Sequence, residues 1–263
     1  MLPRGWPVAA VTRQRDVGDA AGALWLRADP AYVRPDINGA RLLAHGPALR
    51  MDAADRDALL PALRPLFGDA GFPLDAPTAE RWYLRLPPGA RLPRFVAVDE
   101  ALGADLFEHL PGADDAGADA RRWRALLSEA QVVLHNHPHN ARRAERGLPP
   151  VNSLWFWGAG ALPDAVRTSF GAVLTTDDTL AAFAASAGAR VLAPGDASPD
   201  GDDAVLIDLR DARALDEVGA RWIEPLLQAG ATLEVDLADG PRFVVRRGQR
   251  WRFWRRPQAT LDA

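Results

Sequence analysis

Ser153-Leu154-Trp155-Phe156-Trp157 is a strongly apolar run, and it constrains the fold more than any other stretch of the chain. It reads as a strand entered after Pro149-Pro150 and broken by Gly158-Ala159-Gly160. Trp155 and Trp157 are two residues apart and share one face of it, which suits core or rim packing better than ligand stacking. Upstream, Trp123, Leu126, Leu127, Ala130 and Leu134 recur at helical spacing, so a helix is expected over 119–135. Pro138 forbids its smooth continuation.

The rest of the chain alternates in the same way. Short strands are expected at 23–28, stopped by Asp29-Pro30, and at 41–45 and 81–86. A helix is expected over 52–68, with Asp52 as N-cap and Leu59, Leu60, Leu63, Leu66 and Phe67 on its buried face. Strands at 171–175 and 190–193 enclose a helix at 179–187. Residues 204–209 are apolar without alternation, as in a parallel sheet. A helix over 213–229 and strands at 231–237, 242–247 and 250–254 follow, with turns at Asp239-Gly240 and Arg247-Gly248. The expected class is α/β: a mixed sheet flanked by helices, with a C-terminal antiparallel meander. Residues 1–22 read as a loosely attached lead-in. Residues 23–263 read as a single α/β domain, with a subdomain division near the acidic loop at 194–203.

Composition removes whole classes of chemistry. All 31 basic residues are arginine, so neither a Schiff-base lysine nor a phosphate-loop lysine exists. There is no cysteine, which excludes disulfides, thiolate catalysis and cysteine-bound metals. The formal net charge of −4 argues against a nucleic-acid partner. No apolar stretch has the length of a membrane span or a signal-peptide core, so the expectation is a cytoplasmic protein with no membrane partner. From Arg246 to Arg256, arginines alternate with aromatics. That run reads as a charged edge strand, with a nucleic-acid or membrane-surface patch as the weaker alternative.

His135, His137 and His139 follow one another at every second residue, a spacing that shares a face only in extended backbone. They could ligate a metal or cap the end of the preceding helix, and capping is the simpler reading. Asn140, Arg143 and Asn152 surround the apolar strand. A strand, then Gly158-x-Gly160, then a helix start could hold an anion on backbone N–H groups. The alternative is a tight turn with Asn152 capping a loop.

The stretch LLSEAQVVLHNHPHNARRAERGLPPVNSLWFWGAG resembles the RpfE-type regulatory protein family of proteobacteria, as do WLRADPAYVRPD, RWYLRL and WRFWRR. That family in turn resembles part of the archaeal-type, cofactor-independent phosphoglycerate mutases. The matching positions are His137, Pro138, Asn140, Arg143, Gly147, Pro150, Asn152, Trp157, Gly158 and Gly160. The resemblance implies part of a mutase-like substrate domain, with Arg27 and Asp29 as further substrate-loop candidates; surface ion pairing is the plainer reading of those two. It would also imply a two-metal site and a phosphoryl-carrying serine. The chain departs from that pattern: no histidine follows His139, and none of its five serines lies in an Asp-Gly-Ser element.

The expectation is therefore a regulatory, non-catalytic protein without a cofactor or metal. It would bind a small phosphorylated or carboxylated metabolite, or a protein partner, through His137, Asn140, Arg143, Asn152, Gly158, Gly160, Arg27 and Asp29. The alternative is a metal-dependent mutase or phosphotransferase.

Overall fold

The computed structural model describes residues 5–37, 39–113, 117–194, 204–237 and 240–251. The N-terminal part comprises α1 (Val8–Asp16), β1 (Leu24–Asp36), β2 (Gly39–His45), α2 (Ala53–Asp69), β3 (Leu74–Asp75) and β4 (Tyr83–Leu86). Then come α3 (Val98–Ala101), α4 (Ala118–His135), α5 (His139–Glu145) and β5 (Ser153–Ala161). The C-terminal part holds β6 (Ala172–Leu174), α6 (Asp178–Ser186), β7 (Arg190–Leu192), β8 (Val205–Ile207), α7 (Leu215–Val218), α8 (Glu224–Gln228), β9 (Leu233–Asp236) and β10 (Arg242–Val245). The class is mixed α/β.

β1 organises the larger sheet. It runs antiparallel to β5 from Leu24 opposite Ala161 to Ala31 opposite Ser153. Ala31 is also matched by His45, so β2 lies on the other side of β1 from β5. β4 pairs with Leu24–Arg27 and β2 with Ala31–Asp36, so the two lie end to end along one side of β1. Asp29-Pro30 was expected to stop this strand, and the structure corrects that. Pro30 falls in the step between β4 and β2, where a missing N–H forfeits no ladder bond.

Both faces of this sheet are covered. On one, Leu26, Ala28, Leu84, Leu154 and Phe156 pack against Leu59, Leu63 and Phe67 of α2 and Trp123, Leu127 and Leu134 of α4. Phe72 stacks on Trp123 with ring centroids 4.8 Å apart. On the other face, Ala31, Val33, Trp155 and Trp157 pack against Val8 and Val11 of α1, Val98 and Ala101 of α3, and Phe183 of α6. β5 thus sends alternate side chains into two separate buried layers, which is why its sequence is apolar without alternation.

Two further expectations change. The lead-in contains α1, whose residues Val8 to Arg13 are all buried, so this part of residues 1–22 belongs to the core. Gly158-Ala159-Gly160 does not break β5, which continues to Ala161.

The second sheet is parallel, ordered β7-β6-β8, with α6 crossing between β6 and β7. The helix expected over 213–229 is divided: a π-helical turn at Gly219–Ile223 separates α7 from α8. β9 and β10 form an antiparallel ribbon. The strand expected at 250–254 is not found where it can be seen, because Arg247–Trp251 form a 3-10 turn. Residues 252–254 lie outside the described residues.

Candidate functional site

The histidine–arginine segment is built around an aspartate from α2. The helix opens with a capping box: Asp52 accepts from the Asp55 N–H at 2.8 Å, and the Asp55 side chain accepts from the Asp52 N–H at 3.2 Å. Asp55 is fully buried. Its carboxylate accepts from Nε2 of His139 at 2.6 Å and from Nη1 of Arg143. The Arg143 guanidinium, also fully buried, donates Nε to the Pro149 carbonyl at 2.9 Å and Nη2 to the Leu49 carbonyl at 2.5 Å. Burial draws its pKa below the ordinary arginine value, against the pull of Asp55. Arg143 therefore fastens α5 to the start of α2 and to the segment entering β5.

The two asparagines act on backbone. Asn140 Nδ2 donates to the Leu134 carbonyl at 2.8 Å and the Val151 carbonyl at 2.9 Å, and its Oδ1 accepts from the Val151 N–H at 2.9 Å. It thereby joins the end of α4 to the approach to β5. Asn152 accepts from the Val33 N–H at 2.8 Å and donates to the Val33 carbonyl at 2.7 Å, extending the β1–β5 ladder with a side chain.

The three histidines do not share an extended face, which corrects the spacing argument. His135 ends α4, His137 lies in the link, and His139 begins α5. His137 Nδ1 accepts from the His139 N–H at 3.2 Å. Burial, then the neighbouring His139 and Arg142, lower the His137 pKa. His139 Nδ1 is buried without a hydrogen-bond partner.

The Gly-x-Gly element forms no strand-to-helix anion turn. Gly158 has φ +65°, and a Cβ added there would come within 2.8 Å of Val8 Cβ. A Cβ on Gly160 would come within 2.8 Å of Pro7 Cα. These glycines let the start of α1 lie directly on β5.

Arg27 and Asp29 lie on the α1 side of the sheet, buried rather than on the surface. Asp29 accepts from Arg27 Nε at 2.8 Å, from Trp157 Nε1 at 2.7 Å and from the Trp82 N–H at 3.3 Å. Arg27 lies over the Tyr83 and Trp157 rings and donates to Thr12 Oγ1 at 3.3 Å. Next to it, Arg81 grips both oxygens of Asp16 at 2.8 and 2.9 Å, and Tyr83 donates to Asp16 at 2.6 Å. Burial pushes the Asp16 carboxyl up, but Arg81 and Tyr83 outweigh it and hold it below 3.8. His45 and Glu80 border this network, and burial lowers the pKa of the first and raises that of the second. Their sequence context did not single these two out.

The eight expected site residues thus fall into two centres on opposite faces of one sheet: Asp55–His139–Arg143 with the asparagines, and Arg27–Asp29 under α1. Asp55, Asp16, Arg81 and Tyr83 join them. Only the Asp52-x-x-Asp55 spacing carried a readable signal, as a capping box. Among the described residues, no group of three or more His, Asp or Glu side chains could hold a metal ion, so the residues present do not fit the two-metal site that the resemblance implies. Among them, too, no helix is long and apolar enough to cross a membrane.

No family model matches the chain. It is similar to a probable 2,3-bisphosphoglycerate-independent phosphoglycerate mutase of Geobacter sulfurreducens, 37% identical over 95 residues, which are 34% of this chain and 23% of that protein. The corresponding figures for the 2,3-bisphosphoglycerate-independent phosphoglycerate mutase of Methanothrix thermoacetophila are 34% over 98 residues, 35% and 24%. Among solved structures, a cofactor-independent phosphoglycerate mutase from Thermoplasma acidophilum is similar with a TM-score of 0.42 and 21% identity, covering 77% of this chain and 58% of that one. The chain spans about a quarter of the length of the curated relatives it matches, and its aligned sequence similarity to these two mutases covers about a third of its own residues.

Proposed function

We propose that this chain is a non-catalytic regulatory protein of the RpfE type, built on a phosphoglycerate-mutase-like scaffold, that acts by binding a protein partner. One observation carries this reading: the two arginines best placed to recognise a phosphorylated acid are already neutralised inside the protein, Arg143 by Asp55 and Arg27 by Asp29. Freeing either would leave a buried carboxylate unpaired, which costs about 3–5 kcal/mol. The mutase-like residues are then retained for architecture, with the asparagines and glycines tying strand to helix. A second reading, capture or turnover of a small phosphorylated acid around His137 and Arg143, draws its support from the similarity to the named mutases.

The test pairs a coupled mutase assay on 3-phosphoglycerate, with and without Mn2+, with thermal melts in the presence of 2- and 3-phosphoglycerate. The expected outcome is no turnover and no change in melting temperature. Turnover above the buffer rate would overturn the reading. So would a phosphoglycerate-dependent rise in melting temperature that disappears in His137→Ala, a half-exposed site whose loss leaves the buried pairs intact.

A further inference from the structure

We infer that the groove between α2 and the Ala76-Pro77 segment is where this chain docks an extended, acidic peptide segment of its protein partner. The inference rests on the partner-binding reading above and gives it a surface and a chemistry.

It starts from two prolines inside α2, Pro61 and Pro65. Within a helix a proline ring crowds the carbonyl four residues back and offers it no N–H. Two of them oppose helix formation, yet α2 runs unbroken from Ala53 to Asp69. The capping box at Asp52 and the buried face of Leu59, Leu63 and Phe67 hold it together. The core has no use for the prolines, because both are exposed. A local rule broken without a packing gain marks a functional position.

The prolines leave the Asp57 and Pro61 carbonyls without their usual N–H donors. Both residues are exposed, and both line the groove. Their carbonyls lie one helical turn apart, roughly 6 Å along the axis. Alternate N–H groups of an extended chain recur on one side at roughly 6.6 Å. An extended peptide laid along this face can therefore donate to both, much as an added strand donates to a sheet edge.

The rest of the groove fits the same occupant. Its volume is about 390 Å³, within the roughly 300–1,000 Å³ usual for binding sites. Buried Leu60 and Ala76 line it together with Pro61 and Pro77. It is open to solvent, which suits a chain lying along it better than a small acid that must be enclosed. Two arginines and one aspartate line it, an excess of one positive charge on a chain of net charge −4. Asp57 holds Arg56 Nε at 2.8 Å. Arg64, two turns further along α2, is exposed and, among the described residues, has no hydrogen-bond or ion-pair partner. Its planar guanidinium matches a carboxylate with paired hydrogen bonds.

The test selects random peptides displayed on phage against the full chain and measures the enriched sequences, synthesised with a fluorescent label, by anisotropy. Acidic sequences should be enriched, and salt should weaken their binding. R64A should melt like the parent and bind them roughly 10-fold more weakly, for the loss of one charge-assisted pair. P61A/P65A returns an N–H to each freed carbonyl. It should melt higher than the parent and still bind more weakly, an opposition that damage to the fold would not produce. No enrichment, enrichment of basic sequences, or binding that either variant leaves unchanged would each overturn the inference. Peptides that bind both variants like the parent would leave the partner-binding reading standing, since that reading fails instead on phosphoglycerate turnover.

Discussion

Replacing Arg143 by alanine separates an architectural arginine from a ligand-binding one. The substitution removes the partner of Asp55, a fully buried carboxylate, together with the bonds to the Leu49 and Pro149 carbonyls. What is left on Asp55 is His139 on one carboxylate oxygen, the Asp52 N–H at 3.2 Å on the other, and a long exposed arginine, Arg146, at 3.8 Å. Removing one member of a buried pair costs about 3–5 kcal/mol. For a chain of this size, each kcal/mol lowers the melting temperature by about 2–4 °C, so a fall of roughly 6–20 °C is expected by circular dichroism. Replacing both members, as D55L/R143L, should recover part of that loss, since no charge is then stranded. A melting temperature within about 2 °C of the parent for R143A would refute the reasoning, because surface-like arginines cost within about 0.5 kcal/mol. If that variant also lost a phosphoglycerate response, the guanidinium would belong to a binding site.

Two further outcomes follow from the opposite face of the sheet. Gly160→Ala should push the start of α1 off β5, destabilising by about 1–3 kcal/mol and speeding amide exchange in Val8–Asp16. Gly68→Ala is the control: it meets nothing within 4 Å and should stabilise α2 by about 0.5–1 kcal/mol. Equal exchange in both variants would refute the role given to Gly160. Acid should act through Asp16. Its folded pKa is held below 3.8, so its contribution is present above the unfolded value and is lost as pH falls through the folded one. The parent chain should therefore lose melting temperature faster than Asp16→Asn as pH drops below about 4, and parallel curves would contradict the assignment.

Where the residue pattern spoke of one element at a time, it could be read. The helix at 52–68, the helix ending at His135 and the parallel character of 204–209 all follow from spacing alone, because hydrophobic period is a local property. Partners distant in sequence could not be read. Nothing near Arg143 reveals that its carboxylate lies 88 residues upstream on α2. Gly158-x-Gly160 is equally compatible with an anion turn and with a helix lying on a strand, and the helix concerned lies in a small-residue, polar stretch whose pattern reads as a lead-in. Val8 and the Ala9 backbone lie directly over Gly158, and Pro7 over Gly160. Pro30 misled for a related reason: proline breaks a strand only where its N–H would have been used, and the step between β4 and β2 is visible only once the sheet is assembled.

The seating of β1 between strands that follow it at very different distances in sequence also sets a schedule. β2 and β4 follow β1 closely, but β5 is completed only at Ala161, 125 residues after β1 ends at Asp36. At about 5–20 residues per second, a ribosome needs roughly 6–25 s to bridge that interval. Throughout it, the longest strand of the nascent protein shows an unpaired edge. Demand for a chaperone should therefore fall sharply once Ala161 has cleared the exit tunnel, and a chain truncated before Ser153 should aggregate.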